Sequence, residues 1–399
     1  MEIASSRVNT VRSLSTIGWI CFPIALFDGY DTLVMSFLAP VISKELGLAP
    51  GMFRGVFTAT YAGAACGAVI LGPVADRFGR KPVLLLALAL AGAFTAATAW
   101  VHSLQGLMWC RAVAGVGLGG AIPIISALAA SEVPLEQRRV AVTRVFIGYP
   151  VGAIVGGLLT AWLTGSVGWR NLMLGTGGFA LALLVLTAAY LKERISQPSQ
   201  SVAGEKPLRG LFGPELTYVT ITLGAAAFLI LGVSYFLVSW IPTVLTLEGL
   251  SVPAASGIAV LLNVGGLIGA WGLSKVGRRT PARPIGASLC LGALLIAVFG
   301  FSLHGAAYLV AVIVLCIGFL VIGAQTNIPA LAAWIYPLRS SASGVGLAMA
   351  CGRIGSIAGP FLGGYLLASH MRWEALFQVA AVPTLLAGLA LLSLSVSDR

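Results

Sequence analysis

Twelve apolar runs divide the chain. They lie near 14–40, 53–73, 82–101, 104–131, 140–164, 170–191, 216–241, 253–274, 282–303, 306–334, 341–369 and 373–395. A helix that crosses a bilayer needs about 20 largely apolar residues, and each run supplies enough. Lipid leaves helices or closed barrels as the only spanning structures. These runs are too continuously apolar for barrel strands, which alternate apolar and polar positions. The pattern predicts an all-α membrane protein with twelve transmembrane helices. The first run follows Arg7 and Arg12, but it is too long for the core of a signal peptide and holds Asp28 and Asp31. It reads as a retained helix.

Composition sharpens this picture. Of 399 residues, 58% are hydrophobic and only 9% are charged. A soluble domain carries about 25% charged residues. So little charge excludes a soluble enzyme, a disordered chain and a coiled coil. The net charge of +11 would suggest nucleic acid if it formed a patch. Instead the basic residues sort by loop. Arg77, Arg80, Lys81, Arg138, Arg139, Lys192, Arg194, Lys206, Arg209, Lys275, Arg278, Arg279, Arg283 and Arg339 share a side with both termini. Lys44, Arg54, Arg170 and Arg372 fall on the other. Positive loops stay inside, so both termini are expected in the cytoplasm and no nucleic-acid partner is implied. The six cysteines are scattered through the runs, and His102, His304 and His370 close outer ends. Neither pattern offers a metal set, a disulfide framework or a nucleophile with its base, so no cofactor and no membrane-embedded enzyme is expected.

The longest polar stretch, 192–215, holds Pro198, Gly204 and Pro207 and reads as a linker. It separates a six-span bundle at 1–191 from a second at 216–399. The halves echo each other. Gly79 and Gly277, His102 and His304, Pro134 and Pro337, and Gly152 and Gly355 stand 198 to 203 positions apart. A parallel repeat of six spans is a transporter pattern, with the substrate site near the midplane between halves.

Residues 71–81, with Gly72, Asp76, Arg77, Gly79, Arg80 and Lys81, resemble the loop signature of the major facilitator superfamily. Residues 111–120, from Arg111 to Gly120, resemble its fourth-helix motif. Asp28-Gly29-Tyr30-Asp31, Ser239-Trp240-Ile241-Pro242 and the glycine-rich stretch 344–360 around Arg353 are similar to the aromatic acid–proton symporters of that superfamily. The resemblance implies two pseudo-symmetric six-helix bundles in a bacterial cytoplasmic membrane. It implies import of a small aromatic carboxylate with a proton, by alternating access, through a monomer. Two departures stand out: Ser274 replaces the acid of the loop signature in its second copy, and Lys192-Glu193-Arg194 lacks the usual Pro-Glu-Ser ending. The alternative is a proton antiporter that exports drugs or metabolites. Exporters carry a Gly-x-x-x-Gly-Pro-x-x-Gly-Gly pattern in the fifth helix. Here Ala153 interrupts it, and the full pattern lies in the eleventh span, from Gly355 to Gly364.

A charge at the bilayer centre costs at least about 2.5–3.5 kcal/mol, so the charged residues inside spans need a reason. Asp28 lies about 20 Å from the inner end of its helix, and Asp31 follows one turn later on the same face. Two adjacent carboxylates in low dielectric hold a proton between them, as a proton-coupled carrier requires. Arg353 lies about 18 Å into the eleventh span. Its fork suits a substrate carboxylate, or a fixed ion pair with Asp28 or Asp31. Arg111 lies about 10 Å from its outer end, and the resemblance gives it a role in proton coupling or anion binding. Tyr30, Tyr149, Tyr235 and Trp240 are candidate aromatic walls, with Gln325 and Asn327 as polar fixers. Asp76 with Arg77, Arg80 and Lys81, flanked by Gly72 and Gly79, reads as a cytoplasmic gate. The Gly-x-Gly-x-x-Gly at 115–120 follows no strand and serves helix packing.

Overall fold

The computed structural model describes residues 2–131, 133, 138–191, 211–214, 216–276, 281–303, 305–337, 340–369 and 371–394. Most of the linker, the second loop copy at 277–280, Pro134, His304, Arg339 and His370 lie outside them. The helices are α1 (Glu2–Glu45), α2 (Arg54–Phe78), α3 (Arg80–Ala97), α4 (Leu104–Ser131), α5 (Arg138–Phe146) and α6 (Gly148–Tyr190). They continue with α7 (Thr217–Leu247), α8 (Val252–Val276), α9 (Ala282–Ser302), α10 (Ala307–Ile317), α11 (Gly323–Ile335), α12 (Ser341–Ala368) and α13 (Trp373–Ser393). No strand occurs among the described residues.

Among the described residues, eleven helical runs are long and apolar enough to cross a membrane. One of them is two crossings in sequence. Within α6, Gly168 adopts φ 77° and ψ 159°, which breaks the helix between 148–167 and 169–190. Only glycine takes that backbone without strain. The break falls between the fifth and sixth predicted spans, so the twelve-span reading holds. Large apolar side chains such as Trp19, Trp109, Trp162 and Tyr308 lie exposed, while Asp28, Asp31 and Arg111 are buried. That inversion suits a lipid-facing exterior. The protein is a multi-pass membrane protein.

The chain folds into two compact units. One comprises residues 1–38 and 55–201, the other 39–54 and 202–399. The last turns of α1 and the short 3-10 turn Pro50–Phe53 thus belong with the second unit.

Glycines set how closely helices meet, and they do so in the same way in both units. In the first, a Cβ at Gly63 would overlap the carbonyl of Ala112, at Gly67 that of Val116, and at Gly115 that of Thr60. In the second, Gly265 meets the Leu315 carbonyl, Gly269 that of Phe319, and Gly318 that of Leu262. The α2–α4 seam is repeated at α8 against α10 with its next turns. Likewise Gly152 abuts the Leu26 carbonyl, and Gly355 that of Phe228. Small residues at such seams let backbones approach without a hydrophobic driving force.

The repeat contains one irregularity. Between α10 and α11 the chain forms a π-helical segment, Gly318–Ile322. Ile322 stands where the first unit has Gly119, and it faces Gly266 where Gly119 faces Ala64. Ser288 on α9 donates to the Leu320 carbonyl at 2.8 Å, satisfying a group in the irregular turn.

These contacts make one stability prediction with an internal control. Gly119→Ala drives its methyl into the Ala64 carbonyl, whereas Gly175 has nothing within 4 Å. Gly119→Ala should cost about 1–3 kcal/mol as an overpacked seam. Gly175→Ala should gain up to about 1 kcal/mol from helix propensity. Thermal unfolding in detergent checks both, and equal shifts would contradict the seam.

Candidate functional site

In the first unit three helices converge on one buried cluster. α1 contributes Asp31, α3 contributes Thr95 and α4 contributes Arg111, each with no solvent exposure. Arg111 Nη2 donates to Asp31 Oδ2 at 2.8 Å and to the Asp31 backbone carbonyl at 3.0 Å. Its Nη1 donates to Asp31 Oδ1 at 3.2 Å and to Thr95 Oγ1 at 3.2 Å. Thr95 Oγ1 donates in turn to Asp31 Oδ1 at 2.9 Å. The carboxylate is therefore held by both arms of the guanidinium fork and by a hydroxyl, the strong geometry for such a pair. Arg111 Nε is buried with no hydrogen-bond partner among the described residues. The seams explain the convergence. Gly117 on α4 sits against the Ala87 carbonyl on α3, and Gly29 on α1 sits against the backbone of Tyr149.

Asp28, one turn before Asp31, is also buried, at 6% exposure. Asp31 has a cation of its own, so the two aspartates are not an isolated pair of like charges. The fixed-pair option for Arg353 also changes, because the partner of Asp31 is Arg111. Tyr30 is buried. Its hydroxyl lies 2.9 Å from that of Thr176, and its ring fills the space beside Gly156. It acts as a packing wedge with a satisfied tip. Tyr149 is half-buried.

The second unit divides its predicted residues between structural ties and open groups. Trp240 is fully buried, and its Nε1 donates to the Pro360 carbonyl at 3.0 Å. Asn327 Nδ2 donates to the carbonyls of Gly323 at 2.8 Å and Ala270 at 3.2 Å, tying α11 to α8. These two side chains spend their donors on backbone. Tyr235 is half-buried. Gln325 is partly exposed, and its amide has no hydrogen bond among the described residues. Arg353 on α12 is half-buried, and its guanidinium has neither a hydrogen bond nor an ion pair among the described residues. Its backbone carbonyl accepts from Ser356 Oγ at 2.7 Å.

The loop between α2 and α3 is anchored on one side. Gly79 adopts φ 99°, the left-handed turn between the helices. Arg80 Nη1 donates to the Ala127 carbonyl at 3.2 Å, and Lys81 Nζ to the Ala188 carbonyl at 2.9 Å. Arg77 stacks over Phe78 with its charge 5.4 Å from the ring centre. Asp76 is exposed, and nothing lies within 4 Å of a Cβ built at Gly72. Within the second unit, Arg54 Nη1 donates to the Gly364 carbonyl at 3.2 Å.

The Major Facilitator Superfamily profile matches residues 21–359. The chain belongs to the Major Facilitator Superfamily. The gallate transporter of Pseudomonas putida is 34% identical, over 96% of this chain and 93% of that protein. The 4-hydroxybenzoate transporter of Acinetobacter baylyi is 30% identical, over 94% of this chain and 90% of that protein. Among solved structures, the nucleoside transporter NupG superposes with a TM-score of 0.76 at 12% identity, covering 96% of this chain and 99% of that one. At that identity the likeness concerns the fold.

For a superfamily member the work is transport, not catalysis, and the charged residues at lipid depth are the informative ones. Asp31 and Arg111 were both singled out by sequence, and the structure joins them. Thr95, Thr176 and Ser288 were not. A threonine or serine inside a span is ordinary, because it can bond its own helix backbone. Only the fold shows that Thr95 reaches across to another helix.

Proposed function

We propose that this transporter imports a hydroxylated aromatic carboxylate together with a proton, by alternating access of the bundles at 1–191 and 216–399. The observation that carries the reading is Arg353: a half-buried guanidinium, in a span, with no anionic partner among the described residues. A charge left unpaired at that depth is costly unless a ligand completes it. A carboxylate matches its fork. Two relatives named for gallate and 4-hydroxybenzoate suggest what that carboxylate is attached to, since both compounds are hydroxybenzoates. Gln325, whose amide is likewise unpartnered among the described residues, is suited to a ring hydroxyl.

In this reading Asp28, Asp31 and Arg111 handle the proton. The Asp31 carboxylate exchanges its hold on Arg111 for a proton, and substrate and proton bias the same equilibrium between outward-open and inward-open forms. Gly72, Asp76, Arg77, Gly79, Arg80 and Lys81 form the cytoplasmic gate, and the loop charges put both termini in the cytoplasm. The export alternative is less well supported. The glycines of the exporter pattern, Gly355, Gly359, Gly363 and Gly364, lie on α12, where they seat α7 and Trp240.

Uptake into proteoliposomes tests the proposal. Radiolabelled 4-hydroxybenzoate, gallate and benzoate are presented with an inward proton gradient, and an aliphatic acid serves as control. Accumulation of an aromatic acid, abolished by a protonophore, is expected. Gradient-driven efflux of an unrelated compound, with no aromatic uptake, would favour the exporter.

A further inference from the structure

Four buried helical threonines give the hydroxyl proton to their own chain one turn back. Thr60 donates to the carbonyl of Val56, Thr98 to that of Phe94, Thr160 to that of Gly156 and Thr384 to that of Ala380, at 2.7 to 3.0 Å. Each is the carbonyl four residues earlier on the same helix. Thr95, in the last turn of α3, departs from this habit. Its hydroxyl crosses to α1 and donates to Asp31 Oδ1 at 2.9 Å, and it accepts from Arg111 Nη1 at 3.2 Å. We propose that Thr95 is a positioning residue for proton coupling: its hydroxyl locks ionised Asp31 onto Arg111, and it turns back to the Ala91 carbonyl when Asp31 takes up a proton.

The inference rests on the reading of Asp31 as the coupling carboxylate. A hydroxyl has one proton to give. While Asp31 is ionised, the best acceptor within reach is its carboxylate, because a hydrogen bond to a charged group is worth about 1.5–3 kcal/mol against about 1 for a neutral one. When the incoming proton settles on Asp31, that advantage ends. The Ala91 carbonyl lies one turn back on α3, the position that accepts from Thr60, Thr98, Thr160 and Thr384 on their own segments. Rotation about χ1 moves the hydroxyl there and puts the methyl group in its place. The only covalent change is the O–H bond that Asp31 gains. Arg111 Nη1 then loses the Thr95 acceptor in the same step in which Asp31 loses its charge. Two of the contacts that restrain Arg111 therefore weaken together, and the proton is converted into freedom of α4 against α1.

The titratable residues nearest Asp31 lie on α1 and α4. Asp28 and Tyr30 flank Asp31 on α1. Cys110 lies beside Arg111 on α4. On α3 the titratable residues are Arg80 and Lys81, at the far end of the helix. Tyr30 already shares its hydroxyl with Thr176.

The test uses the full chain in proteoliposomes, with radiolabelled 4-hydroxybenzoate and gallate as probes. Wild type, Thr95→Val and Thr95→Ser are compared in two assays. One is accumulation driven by a proton gradient, and the other is counterflow, which exchanges substrate without net proton movement. Thr95→Val keeps the shape and loses the hydroxyl. It should accumulate at least about tenfold less, from the loss of one charged hydrogen bond, with counterflow preserved. Thr95→Ser restores the hydroxyl and should restore accumulation. Accumulation by Thr95→Val at the wild-type level overturns the role of Thr95 while leaving the Asp31 reading intact. If Thr95→Val loses both activities, Thr95→Ser decides: recovery of both supports the proposal, and loss of both overturns it. A wild-type chain that accumulates neither probe overturns the Asp31 reading, and the role of Thr95 with it.

Discussion

Asp31→Asn should abolish accumulation against a gradient and leave exchange running. Asparagine keeps an oxygen for Arg111 and Thr95 but cannot be ionised, so it fixes the site in an uncharged state. A carrier fixed in that state still rocks with substrate bound, and it has no proton to release. The loss is all-or-none in accumulation and small in counterflow. A stability change accompanies it. Asp31 and Arg111 are both fully buried, and breaking such a pair from one side costs about 3–5 kcal/mol because the other charge is left uncompensated. Asparagine retains part of the hydrogen bonding, so the cost falls below that range. The double variant Asp31→Asn with Arg111→Gln removes both charges. It should recover much of the thermal stability and none of the accumulation. Recovery of stability without transport separates the electrostatic role of the pair from its coupling role. Full accumulation by Asp31→Asn would remove Asp31 from the mechanism.

Arg353→Gln has the opposite profile. Its guanidinium has no partner among the described residues, so its removal orphans no carboxylate there. Thermal stability should stay near wild type or rise, because an unpaired charge at membrane depth has been removed. Substrate affinity should fall by about 10- to 100-fold, the loss of a charge-assisted carboxylate contact. Arg353→Lys keeps the charge without the fork and should recover only part of it. Equilibrium binding of 4-hydroxybenzoate and a detergent melting curve separate the two effects. A strongly destabilised Arg353→Gln with unchanged affinity would show that the arginine serves the fold.

The two residues differ in that Asp31 carries its counter-charge within the fold and Arg353 has none among the described residues, and that difference was hidden in the sequence. Spans were legible because lipid demands long apolar runs, and Asp31, Arg111 and Arg353 stood out because charge in such runs is expensive. Pairing was not legible. Asp31 and Arg111 are 80 positions apart, and Arg353 was an equal candidate on chemistry alone. Trp240 and Tyr30 stood out as aromatic walls for a substrate ring, and Asn327 as a polar fixer at membrane depth. The fold commits Trp240 and Asn327 to backbone carbonyls and Tyr30 to a neighbouring hydroxyl. The six-span repeat was visible as recurring glycines and prolines, but the π segment Gly318–Ile322 was not, because nothing in its apolar run marks a wider turn.

Proton movement during substrate entry tests the central claim most directly. Proteoliposomes are suspended in weak buffer with no imposed gradient, and the external pH is followed as 4-hydroxybenzoate is added. Protein-free liposomes correct for passive entry of the acid. Symport predicts alkalinisation of the medium beyond the protein-free control, absent with Asp31→Asn. Acidification of the medium, or substrate entry with no proton movement in the wild type, would contradict it.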